Sequence, residues 1–263
     1  MSTMDTATLT CLGTGDGHPS ADRNHSAFLY RLGGVTLLVD CGEPATRQLR
    51  AHGVGADDID RILITHLHCD HIGGIFMLMQ GFWLLGRKKP LTIHLPAEGE
   101  APVRQMLNAS YIFPELLAFA TDWQPWQCAT PITGDGLILT PHYSTHLEGL
   151  RAAHGAKHPQ KFEAFGIAIE GAGKRIAHSG DIGGLHDLHP LVAQPLDLLL
   201  CEVAHCEPAQ LFQFLADKPI KQIAFTHVGG KWRERRAELI GLAQSQLGKI
   251  PFTFVEDNQR LTI

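Results

Sequence analysis

Four residues in one short stretch carry donor atoms suited to a metal ion. They are His66, His68, Asp70 and His71 in Thr65-His66-Leu67-His68-Cys69-Asp70-His71. Neutral imidazole nitrogens and carboxylate oxygens are what borderline cations such as Zn²⁺ bind. In an extended segment residues 66, 68 and 70 share one face, and a turn at Asp70-His71 brings His71 round beside them. One ion does not easily take four ligands from so short a segment. Two neighbouring ions are the simpler geometry.

The flanking residues show what positions this cluster. Ile62-Leu63-Ile64 is apolar and β-branched, and reads as a buried strand that ends where the donors begin. Gly73-Gly74 then frees the backbone to turn into a following helix. A His-rich surface loop that binds nothing would not be fed by a buried strand.

His-x-His-x-Asp-His after a buried strand resembles the signature of the metallo-β-lactamase superfamily of metal-dependent hydrolases. The likeness extends to Leu12-Gly13-Thr14-Gly15-Asp16-Gly17-His18-Pro19, Arg23-Asn24-His25-Ser26-Ala27 and Leu38-Val39-Asp40-Cys41-Gly42-Glu43. That opening is similar to the opening of ribonuclease Z, the tRNA 3′-processing branch, and related phosphodiesterases share much of it. The resemblance runs over nearly the whole chain. It implies an α/β fold, the αββα sandwich of two mixed sheets flanked by helices, as a single domain over residues 1–263.

The totals are ordinary for a soluble globular protein. The chain has 263 residues, 44% hydrophobic and 19% charged, enough for one sizeable core. A net charge of −5 argues against broad, non-specific nucleic-acid binding. Sixteen histidines are the outlying count, and metal ligation absorbs some of them. The six cysteines lack zinc-finger spacing. Residues 1–10 have neither the basic start nor the apolar core of a signal peptide, and the apolar run at 76–85 is interrupted by Gln80 and Gly81. These features point to a cytoplasmic protein with reduced thiols and no membrane span.

Further along, residues 8–12, 91–95, 137–140, 196–200 and 222–225 read as strands, as do 251–255 and 259–263. Hairpins are expected at 27–39 and at 165–178. Residues 43–52, 75–85, 208–215 and 231–246 read as helices, and 100–121 as mostly helical with a break at Pro114. Met77, Met79 and Trp83 are expected in the core of the second of these helices. Arg87-Lys88-Lys89 reads as a solvated turn, and 147–165 as a loop holding His154, Lys157, His158 and Lys161. His18 reads as a loop histidine.

The resemblance supplies the remaining site residues. His146 matches the ligand position after the 137–140 strand, with His142 as its rival. Ser179-Gly180-Asp181 matches the motif whose aspartate bridges two ions, and His227 matches the last ligand. Asp40 supports the ligand loop without binding metal. Cys201-Glu202-Val203-Ala204-His205 resembles the related phosphodiesterases more than ribonuclease Z, where only Glu202 agrees. The implied site has His66, His68 and His146 on one divalent ion, and Asp70, His71 and His227 on the other. Asp181 bridges them. Zinc is the expected metal, with manganese or iron acceptable to the same donors.

Metal binding lowers the pKa of water from about 16 to about 7, which supplies hydroxide at neutral pH. Asp70 orients that water or takes its proton, and His205 protonates the leaving group. The expected substrate is a small phosphodiester or a related compound. The span from His146 to Asp181 is too short for the Gly- and basic-rich arm with which many ribonuclease Z proteins grip tRNA, so RNA is not favoured. The alternatives are tRNA 3′-processing itself, or acyl hydrolysis (lactone, thioester or β-lactam) by the same ligands. No membrane partner is expected, and a homodimer is possible.

Overall fold

The structure is a computed structural model that describes residues 7–263. The first six positions of the segment read for a leader lie outside the described residues. The chain divides into two compact units, Met1–Trp126 with Asp257–Thr262 and Gln127–Glu256 with Ile263. No helix among the described residues is long and apolar enough to cross a membrane.

The strands in chain order are β1 (Thr8–Gly13), β2 (Ala27–Leu32), β3 (Val35–Val39), β4 (Arg61–Leu63), β5 (Leu91–Leu95) and β6 (Thr121–Pro125). Then come β7 (Ile132–Gly134), β8 (Leu137–Ser144), β9 (Ala164–Gly171), β10 (Lys174–His178), β11 (Leu198–Glu202), β12 (Ile223–Thr226), β13 (Phe252–Phe254) and β14 (Arg260–Thr262). The α-helices are α1 (Ala45–Ala51), α2 (Cys69–Ile72), α3 (Ile75–Leu84), α4 (Glu100–Ala109), α5 (Glu148–His154), α6 (Pro208–Leu215), α7 (Gly230–Glu234) and α8 (Arg236–Gln246).

The first unit holds a seven-stranded mixed sheet in the order β14-β1-β2-β3-β4-β5-β6. Pairing is antiparallel from β14 to β3 and parallel from β3 to β6. The middle residues of β3, β4 and β5, Leu37, Ile62 and Ile93, are apolar and wholly buried, as in strands covered on both faces, whereas the edge strand β6 is polar and has no buried residue. Leu38, Ile62 and Ile93 pack with Leu49 of α1 and with Ile75, Leu78, Met79 and Phe82 of α3 in one buried cluster. Met77 departs from the expected core position. It is 58% exposed, because α3 turns only one face to the sheet, while Trp83 is half-buried.

The second unit holds the other seven-stranded sheet, ordered β13-β12-β11-β10-β9-β8-β7 and parallel from β10 to β13. Leu199, Ile223 and Phe225 pack with Leu211, Phe212 and Leu215 of α6 and Leu239 and Ala243 of α8. Strand β8 alternates buried and exposed residues at its start, the mark of a half-buried strand.

Three local expectations change. Residues 100–121 are not mostly helical: α4 ends at Ala109, one short 3₁₀ turn follows at Pro114–Leu116, and Thr121 opens β6. Residues 147–165 are not all loop, since α5 forms there with no buried residue and hence no apolar periodicity to betray it. The basic triplet is not all solvated. Arg87 is fully buried. Its guanidinium donates to the carbonyls of Lys89, Ala56, Ile59 and Pro90 and lies over the rings of Phe82 and Phe119. Burial lowers its pKa despite Asp57 and Asp60 nearby.

Candidate metal centre

In the first unit the donors follow β4. Trp126 Nε1–H donates to the Ile64 carbonyl at 2.8 Å, holding the chain just before the cluster. His66 and His71 are buried, Asp70 nearly so, and His68 half-buried. Helix α2 is a single turn that begins after His68. It turns Asp70 and His71 inward and leaves Cys69 exposed. His66 Nε2 stands 3.1 Å from His68 Nδ1, and Asp70 Oδ2 stands 3.4 Å from His71 Nε2. The rings of His66 and His71 are 4.1 Å apart.

Asp40 braces this set. It is wholly buried directly after β3, and its φ of 57° lies in the left-handed region. His71 Nδ1–H donates to its Oδ2 at 2.7 Å. The Thr65 backbone N–H donates to Oδ1 at 2.8 Å, and the Thr65 hydroxyl donates at 3.0 Å. With that hydroxyl committed to Asp40, Thr65 Oγ1 accepts from His66 Nδ1–H at 3.1 Å. The network therefore assigns the Nδ1–H tautomer to both His66 and His71, leaving a lone pair on each Nε2. Gly42 permits the close packing here. A Cβ on it would fall 2.2 Å from the Asp70 carbonyl oxygen and 2.7 Å from His25 Cβ.

In the second unit His146, Asp181, His205 and His227 come together. One ligand atom each from His146, Asp181 and His205 lies within 4.8 Å of the others. Asp181 Oδ2 is 3.4 Å from His227 Nε2 and 3.7 Å from both His146 Nε2 and His205 Nδ1. These separations exceed a hydrogen bond of about 2.7–3.2 Å. Two atoms each about 2.0–2.1 Å from one tetrahedral cation stand about 3.4 Å apart. The donor types and their spacing thus fit a borderline divalent cation.

Three of these donors, His146, Asp181 and His205, are held from behind. Ser144, the last residue of β8, caps the turn that carries His146, and its hydroxyl donates to the Asp181 carbonyl at 2.6 Å. Asp187 is buried and accepts the backbone N–H of Thr145 at 3.0 Å and of Gly183 at 2.8 Å. Glu202, at the end of β11, accepts from Ile182 N–H at 3.0 Å and His205 N–H at 3.0 Å, and bonds His205 Nδ1 at 3.1 Å. His227 follows β12 at φ 51°, buried. A side chain other than glycine held there costs about 1–3 kcal/mol, and such sites cluster where function demands them.

His142 stays within β8 opposite Gly166, its pKa lowered by burial and by Arg175. The side chain of His18 is 86% exposed, 3.6 Å from Asp16. All six cysteines are free thiols, and burial pushes Cys11 up to about 12. The bracing residues Thr65, Ser144 and Asp187 escaped sequence reasoning. Thr65 alone carried a signal, its adjacency to the motif.

Known proteins share this arrangement of sheets and loops. The family model described as anti-Pycsar protein Apyc1 matches residues 7–188. A ribonuclease Z of Nocardia farcinica is 30% identical over 224 residues, spanning 81% of this chain and 68% of that protein. Among solved structures, the metallo-β-lactamase fold protein YhfI from Bacillus subtilis matches with a TM-score of 0.77 at 18% identity, covering 98% of this chain and all 100% of that one. The short form of human tRNase Z, ELAC1, matches at 0.74 and 21%, covering 97% and 98%. These likenesses show the metallo-β-lactamase fold.

Proposed function

We propose that this chain, which belongs to the ribonuclease Z-like branch of the metallo-β-lactamase superfamily and to the family described as anti-Pycsar protein Apyc1, is a metal-dependent phosphodiesterase acting on a small diester. The observation that carries the reading is the Asp181 carboxylate, one oxygen of which faces ring nitrogens of three histidines at 3.4–3.7 Å. In this reading, as the resemblance implies, His66, His68 and His146 would hold one divalent ion, Asp70, His71 and His227 would hold a second, and Asp181 would serve both. Zinc suits this donor set.

A bound metal pair supplies a nucleophile at neutral pH and neutralises charge on a phosphoryl oxygen. The chain's own residues do the rest. Asp40 and Thr65 fix the tautomers of His71 and His66. Asp70 orients the attacking water or takes its proton. His205, with Nδ1 held by Glu202 and its ring partly exposed, is the group that protonates the leaving oxygen. A small diester is favoured over RNA because, between His146 and Asp181, the chain adds only the seven-residue, exposed α5 and a short loop to the β9–β10 hairpin, and the net charge is −5.

The test is hydrolysis of bis(p-nitrophenyl) phosphate by the metal-analysed protein, beside p-nitrophenyl acetate, a lactone and an RNA with a 3′ trailer. Diesterase activity lost in Asp181→Ala is the expected result. Acyl turnover without diesterase activity, with metal bound, would overturn the substrate assignment.

A further inference from the structure

We propose that a cavity of about 510 Å³ beside α1 and α2 is a second ligand site, taking a phosphomonoester with an apolar or aromatic body. Its size falls within the range of small-molecule sites, about 300–1,000 Å³. The walls divide by chemistry. Pro44, Ala45 and Met77 offer an apolar surface, and Met77 stands 58% exposed on it. Arg47 and Arg50 lie three residues apart on α1, hence on one face, and both are exposed at the cavity. Among the described residues neither guanidinium has an ion-pair partner. Glu43 on the rim leaves the three charges net positive. A planar guanidinium matches the oxygens of a phosphate two at a time, which a single lysine does not.

The cavity adjoins the turn that carries metal donors. Cys69, on the exposed side of α2, and Gly73, just after it, line it, while Asp70 and His71 occupy the buried side of the same turn. His25 also lines it, and Gly42 is pinched between His25 Cβ and the Asp70 carbonyl. A molecule seated here touches the ligand loop from behind without touching a ligand. The choice of a phosphomonoester rests on the phosphodiesterase reading, since hydrolysis of a diester releases one. On that reading the molecule taken here is a product of the diester reaction.

The experiment follows the Met77 methyl group by NMR in protein labelled at the methionine methyls, with the resonance assigned through Met77→Leu. Phenyl phosphate is the probe and benzoate its carboxylate counterpart. The Met77 signal is expected to move saturably with phenyl phosphate, and the double variant Arg47→Ala/Arg50→Ala to weaken that binding at least tenfold. Benzoate is expected to bind at least tenfold more weakly. A Met77 signal that stays still, that moves equally in the double variant, or that responds equally to benzoate overturns the site. Failure of the phosphodiesterase reading shows separately, as absent bis(p-nitrophenyl) phosphate turnover, which this titration does not involve.

Discussion

Replacing Asp40 by asparagine changes one atom at a position where little else is free to change. Asparagine has nearly the same shape, and like aspartate it is among the residues that accept left-handed backbone, so the φ of 57° adds no new strain. What changes is acceptor capacity. Asp40 Oδ2 accepts from His71 Nδ1–H at 2.7 Å and Oδ1 accepts from Thr65 N–H at 2.8 Å. Both oxygens face donors, so an amide NH₂ meets one of them whichever way it lies. Against His71, the ring moves its proton to Nε2 and loses the lone pair that would bind metal. Against Thr65, a buried backbone N–H loses its acceptor, at a cost of about 1–3 kcal/mol, and the loop bearing His66 shifts.

Loss of a partner behind a metal-binding histidine weakens affinity about 10–100-fold, or about 1.4–2.7 kcal/mol. That is the expected loss for the ion held by His71. The assay is competition against a chromophoric chelator at neutral pH, with circular dichroism to confirm the fold. Wild-type affinity in correctly folded Asp40→Asn would refute both the tautomer argument and the place of His71 among the ligands.

Other substitutions act on the ligands themselves or on buried charge. Asp181→Ala and His68→Ala should each lose metal by elemental analysis and lose activity with it, and full activity in either rejects the ligand assignment. Arg87→Met strips four backbone carbonyls of their donor. A cost of about 3–5 kcal/mol is expected, lowering the thermal midpoint by about 6–20 °C; a shift under about 3 °C contradicts it. His94 has its pKa lowered to about 4, by burial first and then by the Arg61 charge. Its unfolded value is about 6.5. The unfolded chain therefore binds this proton more readily, so the contribution is full above pH ~6.5 and drains away as pH falls toward ~4, about 3 kcal/mol at most. Urea midpoints from pH 7.5 to 4.5 should fall less steeply in His94→Gln than in wild type, and equal slopes reject the argument.

The metal motif was legible because its chemistry is local. Four donors within six residues state their purpose without a fold. The other donors stand far apart in sequence, and only likeness to known hydrolases singled them out. Their bracing partners were less legible still. Asp187 reaches Thr145 and Gly183 through turns whose residues show no periodic pattern. Arg87 misled for a related reason: its acceptors belong to residues 56, 59, 89 and 90, and only the folded chain gathers them. Strand β8 runs past its expected end at Thr140 to Ser144. Ladder pairing with β7 stops at Leu139, and Pro141 stays paired with Ile167 of β9 while its carbonyl accepts the Ala129 N–H at 2.7 Å, so the strand continues through it.

A division of labour among carboxylates follows. Asp70 and Asp181 stand among the donors, whereas Asp40, Asp187 and Glu202 lie behind them, buried and hydrogen-bonded. Asp40 and Glu202 each accept from backbone N–H and from a histidine ring, so each couples a loop's position to an imidazole's orientation. Asp187 couples two loops, those of His146 and Asp181, by accepting the backbone N–H of Thr145 and of Gly183 and the hydroxyls of Ser144 and Thr145. A loop that only bound metal would need none of this. Loops ordered before the ion arrives need all of it, because an imidazole free to rotate loses that freedom on binding. The hydrogen bonds to Thr65 and His71 thus account for how the αL-strained strand end at Asp40 persists: they over-determine it, as functional sites require.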